Sequence, residues 1–259
     1  MRNSILLLSL IASVLVAQPS FTAADIATSA DGANSVFVAD MDNDGDMDIV
    51  SASGADDAIS WYENNGAADP SWSASDIATS ADNAMSVFVA DMDNDGDMDI
   101  VSASSGDDAI AWYENNGNAD PSWSAADIAT SANDPYDVYV ADMDNDGDMD
   151  IVSASAADNT IAWYENDGAA DPSWSAADIA TSALSAVDIF IADMDNDGDL
   201  DIVSASMYDD AIASLNFCSV AGQFIANLSV TISRCSEPLP KLVLITNLFG
   251  NELKSISLK

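Results

Sequence analysis

A string of fourteen residues, DMDNDGDMDIVSAS, starts at Asp40 and returns at Asp91 and Asp142, and a near copy, DMDNDGDLDIVSAS, starts at Asp193. The interval is 51 residues each time. DIATSA keeps the same period from Asp25, Asp76, Asp127 and Asp178, as do WYEN from Trp61, Trp112 and Trp163 and DPSWS from Asp69, Asp120 and Asp171. A fixed period of this length restricts the chain to architectures in which one supersecondary unit is repeated and buries its faces against its neighbours.

One unit reads as four short strands. Val36 to Ala39 is apolar and β-prone, Ile49 to Ser53 forms a second strand, Ala58 to Glu63 a third and Trp72 to Ser80 a fourth. Between them lie the polar loop Asp40 to Asp48, a turn at Gly54 to Asp57, and Asn64 to Pro70, whose Asn-Gly and Asp-Pro pairs are strong turn signals. No stretch sustains a 3.6-residue apolar period, so helices are expected to be few. The first strands (VFVA, VFVA, VYVA, IFIA) are apolar at every position, whereas a strand with one wet face would alternate. Both faces should therefore be covered, as in four-stranded sheets stacked radially. The fold class predicted is all-β, a β-propeller with four blades visible. Asp25 to Ala30 is a fourth strand with no first three before it, and the last unit loses WYEN and DPSWS after Ala213. The first is expected to complete the last blade and close the ring.

The loop from Asp40 to Asp48 places carboxylates at positions 1, 3, 5, 7 and 9, with Gly45 at position 6 to permit the reversal. Calcium takes six to eight hard oxygen ligands at loose geometry, and alternate residues of a curled loop can point inward together. The predicted ligands are Asp40, Asp42, Asp44, Asp46 and Asp48; Asp91, Asp93, Asp95, Asp97 and Asp99; Asp142, Asp144, Asp146, Asp148 and Asp150; and Asp193, Asp195, Asp197, Asp199 and Asp201. That gives about four Ca2+ ions per chain. By analogy with the helical calcium loop, position 7 offers its backbone carbonyl, which leaves the Asp46 side chain spare. A true EF-hand is excluded, because position 12 is Ser51 rather than Glu and both flanks read as strands. Magnesium suits so flexible a cage less well, and zinc would want His or Cys, which the repeats lack.

The charge balance agrees. Against 45 acidic residues the chain has 5 basic ones and no histidine, a formal net charge of -40. No Lys or Arg lies between Arg2 and Arg234. Phosphate recognition needs such cations, so nucleic acid is excluded as a partner, and an anionic membrane surface with it. Arg2 followed by the apolar run Ile5 to Val16 reads as a signal peptide, with Ala17 or a small residue near Ala23 before the cut. The division is therefore 1–23 signal peptide, 24–216 repeats and 217–259 a C-terminal β tail. The mature protein should be secreted or at the cell surface, without membrane insertion. Cys218 and Cys235 are then placed to form a disulfide or to remain two structural thiols.

An apolar strand, then DxDxDGxxD, then DIV, repeated in register over about residues 22 to 216, resembles the FG-GAP or VCBS repeats, the blades of integrin-α-like propellers. That resemblance implies a calcium loop joining the first two strands of each blade and an extracellular binding or adhesion role. Such propellers often have seven blades, whereas four loops occur here. The tail is somewhat similar, through LFGNEL, to the C-terminal sorting domains of type IX secretion substrates, though short for one. Asn227-Leu228-Ser229 is a glycosylation sequon with meaning only in a eukaryotic host.

No enzyme is predicted. Without histidine, or lysine within the repeats, the only chemistry open is a carboxylate pair drawn from Glu63, Glu114 and Glu165. These stand in identical repeated contexts, whereas an active site is singular. The partner expected is an extracellular protein or a glycan, the alternatives being a lectin-like propeller and a passive surface repeat. Exposure of Trp72, Trp123 and Trp174 separates these, because sugar stacking requires rings that reach solvent.

Overall fold

The computed structural model describes residues 22–217 together with four strands within 220–257. The residues before 22, which include all but the last two of the expected signal segment, lie outside the described set, as do Cys218, Cys235 and the sequon residue Asn227.

Each 51-residue unit forms one antiparallel meander. Blade 1 is β1 (Ala33–Ala39), β2 (Asp48–Ser53), β3 (Ala58–Asn64) and β4 (Trp72–Ala78), hydrogen-bonded in that order. Blade 2 repeats it with β5 (Ala84–Ala90), β6 (Asp99–Ser104), β7 (Ala109–Asn115) and β8 (Trp123–Ala129). Blade 3 follows with β9 (Pro135–Ala141), β10 (Asp150–Ser155), β11 (Thr160–Asn166) and β12 (Trp174–Ala180). Blade 4 has only β13 (Ala186–Ala192), β14 (Asp201–Ser206) and β15 (Ala211–Leu215). The β2–β3 turns close through a left-handed residue, Asp57 at φ 56° and its counterparts Asp108, Asn159 and Asp210. Asn and Asp tolerate that conformation better than other side chains.

The blades stand in a row with first strands adjacent: β1 beside β5, β5 beside β9, β9 beside β13. One aromatic from each first strand meets the next, Phe37 to Phe88 at 4.7 Å, Phe88 to Tyr139 at 4.8 Å and Tyr139 to Phe190 at 5.5 Å between ring centroids. Each junction encloses its own core. Met41, Val50, Ile59 and Trp61 on the back of blade 1 pack on Val87, Val89 and Tyr113 on the front of blade 2. The same positions, moved by 51 residues, form the second core, and Met143, Val152 and Ile161 meet Ile189 and Ile191 in the third. Ile59, Ile110 and Ile161 are completely buried, each contributing about 1.5–3 kcal/mol of hydrophobic stabilisation. Continuous apolarity in the inner strands thus has the expected cause, a neighbour on each side, for the interior blades.

Among the described residues the expected ring closure is not seen: Asp25 to Ala30 forms no strand, blade 4 is three-stranded, and no described strand pairs with the outer edge of β15. The segment instead lies on the front of blade 1, where Ile26, Ala27 and Ala30 line a groove with Val36, Val38 and Tyr62. The reason is positional: β15 belongs to the fourth blade of the row, whereas the segment joins directly to β1. In the tail, β16 (Val220–Ile225), β17 (Leu228–Ser233), β18 (Leu242–Asn247) and β19 (Glu252–Ser257) form a separate antiparallel sheet in sequence order. The last two residues of the LFGNEL stretch, Glu252 and Leu253, open β19 and pair with β18.

Candidate metal centre

The Asp loops join the first and second strands of each blade. They curl by turning backbone N–H groups onto their own carboxylates: Gly45 N donates to Asp40 Oδ2 at 3.0 Å, Asp44 N to Asp42 Oδ1 at 3.2 Å and Asp46 N to Asp44 Oδ1 at 2.8 Å. Two positions need a left-handed backbone, Asn43 at φ 59° and Gly45 at φ 95°. Asn accepts the first, and the second falls where a Cβ is strained.

The result is a convergence of three carboxylates. Asp40, Asp42 and Asp44 each turn an oxygen to within 4.8 Å of the others, and Asp91, Asp93 and Asp95, Asp142, Asp144 and Asp146, and Asp193, Asp195 and Asp197 do the same. Burial pushes Asp42, Asp93 and Asp144 above the usual carboxylate range, and neighbouring carboxylates push them further. Asp40 Oδ1 is buried without a hydrogen-bond partner. The sequence places no Lys or Arg anywhere in residues 3–233, so no side chain of the repeats can supply compensating positive charge. An oxygen-only, acidic, loosely curled donor set of this kind fits calcium.

The five-carboxylate set predicted for each loop divides into three parts. Positions 1, 3 and 5 form the cluster. Position 7 points to the preceding loop: Asp97 Oδ1 accepts from Asn43 Nδ2 at 2.7 Å and Asp148 Oδ1 from Asn94 Nδ2 at 2.9 Å. Position 9 clamps the loop to its blade. Asp48, fully buried, accepts from Met41 N at 3.2 Å and from Asn64 N at 2.8 Å. Asp99, Asp150 and Asp201 repeat both bonds. Burial pushes Asp99 up to about 7 and Asp150 up to about 6 against these stabilising N–H bonds.

Several contributors were not foreseen. Asn115 Nδ2 donates to Met98 O in its own blade and to Met41 O in the blade before, and Asn166 does the same with Met149 and Met92. The Asn of WYEN is thus a brace between loops. The Glu of the same motif also stands near the metal loop, since Glu114 raises Asp93 and Glu165 raises Asp144 by like charge. The in-register repetition of WYEN with the loop was the available signal. Five of the six tryptophans pack in the cores: Trp61 and Trp112 are buried, the half-buried Trp123 and Trp174 pack against the first and second cores, and Trp163 packs against the third, while Trp72 is half-buried outside them.

A sequence model described as an FG-GAP-like repeat matches residues 40–102, 91–153 and 144–204. No curated protein sequence matches the chain. Among solved structures, the biofilm matrix protein Bap1 of V. cholerae is similar at a TM-score of 0.37 and 16% identity, over 88% of this chain and 40% of that one. The chain thus spans less than half the length of that structure.

Proposed function

The chain belongs to the FG-GAP-like repeat family, and on that premise we propose that it is an extracellular, non-enzymatic binding or adhesion module whose four Asp loops hold calcium as structural staples. The observation that carries this reading is the convergence of three carboxylates in every loop, in a region of sequence without a single cationic side chain. Asp40, Asp42 and Asp44 would hold the ion in blade 1, with the backbone at position 7 adjacent and their 51-residue counterparts acting alike. The metal supplies charge neutralisation. Four ions move the formal charge from -40 to -32, and locally each relieves repulsion among carboxylates that the fold forces together. Trp123 and Trp174 are half-buried and packed against the first and second cores, and Trp72 is half-buried, which favours a protein partner or a passive surface role over a lectin built on fully presented rings.

The test is calcium counting by equilibrium dialysis, with thermal unfolding in excess calcium and in chelator. About four ions per chain and a large calcium-dependent rise in melting temperature support the reading. Far fewer ions, or unchanged melting, would remove the metal from the account and reopen the function.

A further inference from the structure

The two ends of the blade row are the two halves of an interface that the molecule already contains three times. Val36, on the front of blade 1, is 65% exposed, while its counterpart Val87 is 3% exposed inside a junction. On the back of blade 4, Ile212 is 83% exposed where Ile161 is fully buried, and Met194 is 54% exposed where Met143 is 2% exposed. Among the described residues, therefore, no blade packs on the front of blade 1 and none on the back of blade 4.

We propose that copies of this chain join front to back, the front of blade 1 in one copy seating on the back of blade 4 in the next. Segment 25–30 supplies the fourth strand that blade 4 lacks. Its Ile26, Ala27 and Ala30 line the front groove of blade 1 together with Tyr62, as Ile77, Ala78 and Ala81 line the first internal junction together with Tyr113. There, Ala78 is also paired with Ile59 on the third strand of its own blade, as Ala129 is with Ile110 and Ala180 with Ile161. The same register places Ala27 of one copy opposite Ile212 of the other, on the free edge of β15. An unpaired strand edge beside an uncovered apolar face is a template for such addition.

Polar groups at the ends repeat the internal pattern. Asp137 accepts from Ile189 N across the third junction at 2.9 Å, and Ser35 accepts from Val87 N across the first at 3.4 Å. Asp188 holds the corresponding place on blade 4, exposed, and Val36 N is its counterpart acceptor-seeking group. Asn196 stands to Asp46 of the next copy as Asn43 stands to Asp97. The surfaces differ from each other, so the association is heterologous and continues to a closed ring or an open array. Both copies are strongly acidic, so association should require calcium and moderate salt to screen their repulsion.

The test is sedimentation velocity of the full chain in calcium and moderate salt, with Val36→Asp and Ile212→Asp as variants. Both residues are solvent-exposed, and a thermal melt verifies that each variant folds. The native chain should sediment with at least twice the mass of a single chain. Each variant alone should fall to single-chain mass. An equal mixture should return a species of two chains, because each variant keeps the face the other has lost. A native chain of single-chain mass would show that its own segments cover the ends, and overturns the proposal. Variants that keep the native mass, or a mixture that stays at single-chain mass, overturn it as well.

Discussion

Asn43 and Asp97 lie in different metal loops, yet the Asn43 side chain donates to the Asp97 carboxylate at 2.7 Å across the first junction. Asn94 and Asp148 repeat the bond at 2.9 Å across the second. The first three loops therefore form one hydrogen-bonded series along an edge of the row. Asn43 reaches this geometry because its backbone is left-handed, at φ 59°.

Removing the link should weaken the loop that receives it. Asn43→Ala leaves Asp97 without its donor amid other carboxylates, and a hydrogen bond to an exposed charged group contributes about 1 kcal/mol. The expected outcome is an unchanged count of bound calcium, with one site weakened several-fold. Calcium titration calorimetry checks it, and an unchanged isotherm would show that the loops act independently.

Deleting a carboxylate from the cluster should delete one ion. Asp40→Ala removes the oxygen that is buried without a partner, along with the acceptor of Gly45 N. With dissociation constants of roughly 0.1–1 mM, each site at about 5 mM calcium contributes on the order of 1–2 kcal/mol by mass action. The variant should bind three ions and melt lower in calcium, but differ less from the native chain in chelator. A drop of equal size in both conditions would mean that the side chain matters only to the calcium-free fold.

Asp46 and Asp40 should behave differently although the sequence presents them alike. The Asp46 carboxylate lies against Gly66 of the β3–β4 turn, where an added Cβ would collide with it. Gly66→Ala should therefore push the Asp46 side chain aside, strain its own backbone at φ 66° and weaken site 1, and Asp46→Ala in the same chain should relieve the collision but not the backbone strain. Asp46→Ala alone should keep all four ions, because its side chain is outside the converging cluster. Ion counts on the three variants decide this, and loss of an ion in Asp46→Ala would make position 7 a side-chain ligand.

What the sequence conveyed and what it withheld follow from the same period. The strands from Ala33 to Ala78 match the sequence reading closely, because apolar runs and turn residues act locally and every copy repeats the same signals. The Asn115 bond to Met41 O was hidden, since it spans 74 positions and exists only once blades stack. Asp48 looked like another ligand because its role as a clamp depends on Asn64 N arriving from β3. Segment 25–30 carries the letters of Asp76 to Ala81 but not the neighbour that makes a strand of them. Identity of sequence specifies the unit, while position in the row specifies its surroundings.

A pH dependence should arise at the third junction. Asp137 accepts from Ser86 Oγ at 2.8 Å and from Ile189 N at 2.9 Å, and burial between blades pushes it up to about 6 from the ordinary 3.8. The folded protein therefore binds this proton more tightly than the unfolded chain. The associated stability is fully present below about 4, and it is lost as pH rises through about 6. At neutral pH the ionised group costs on the order of 2–3 kcal/mol relative to its protonated form. Asp137→Asn should remove this dependence, because its amide oxygen can accept from Ile189 N while its amide nitrogen donates to Ser86. In saturating calcium, the melting temperature of Asp137→Asn relative to the native chain should rise between pH 4.5 and pH 7.5, common losses at the metal loops cancelling in the difference. A difference that stays flat across that range would show that Asp137 ionises normally, with its two hydrogen bonds offsetting its burial.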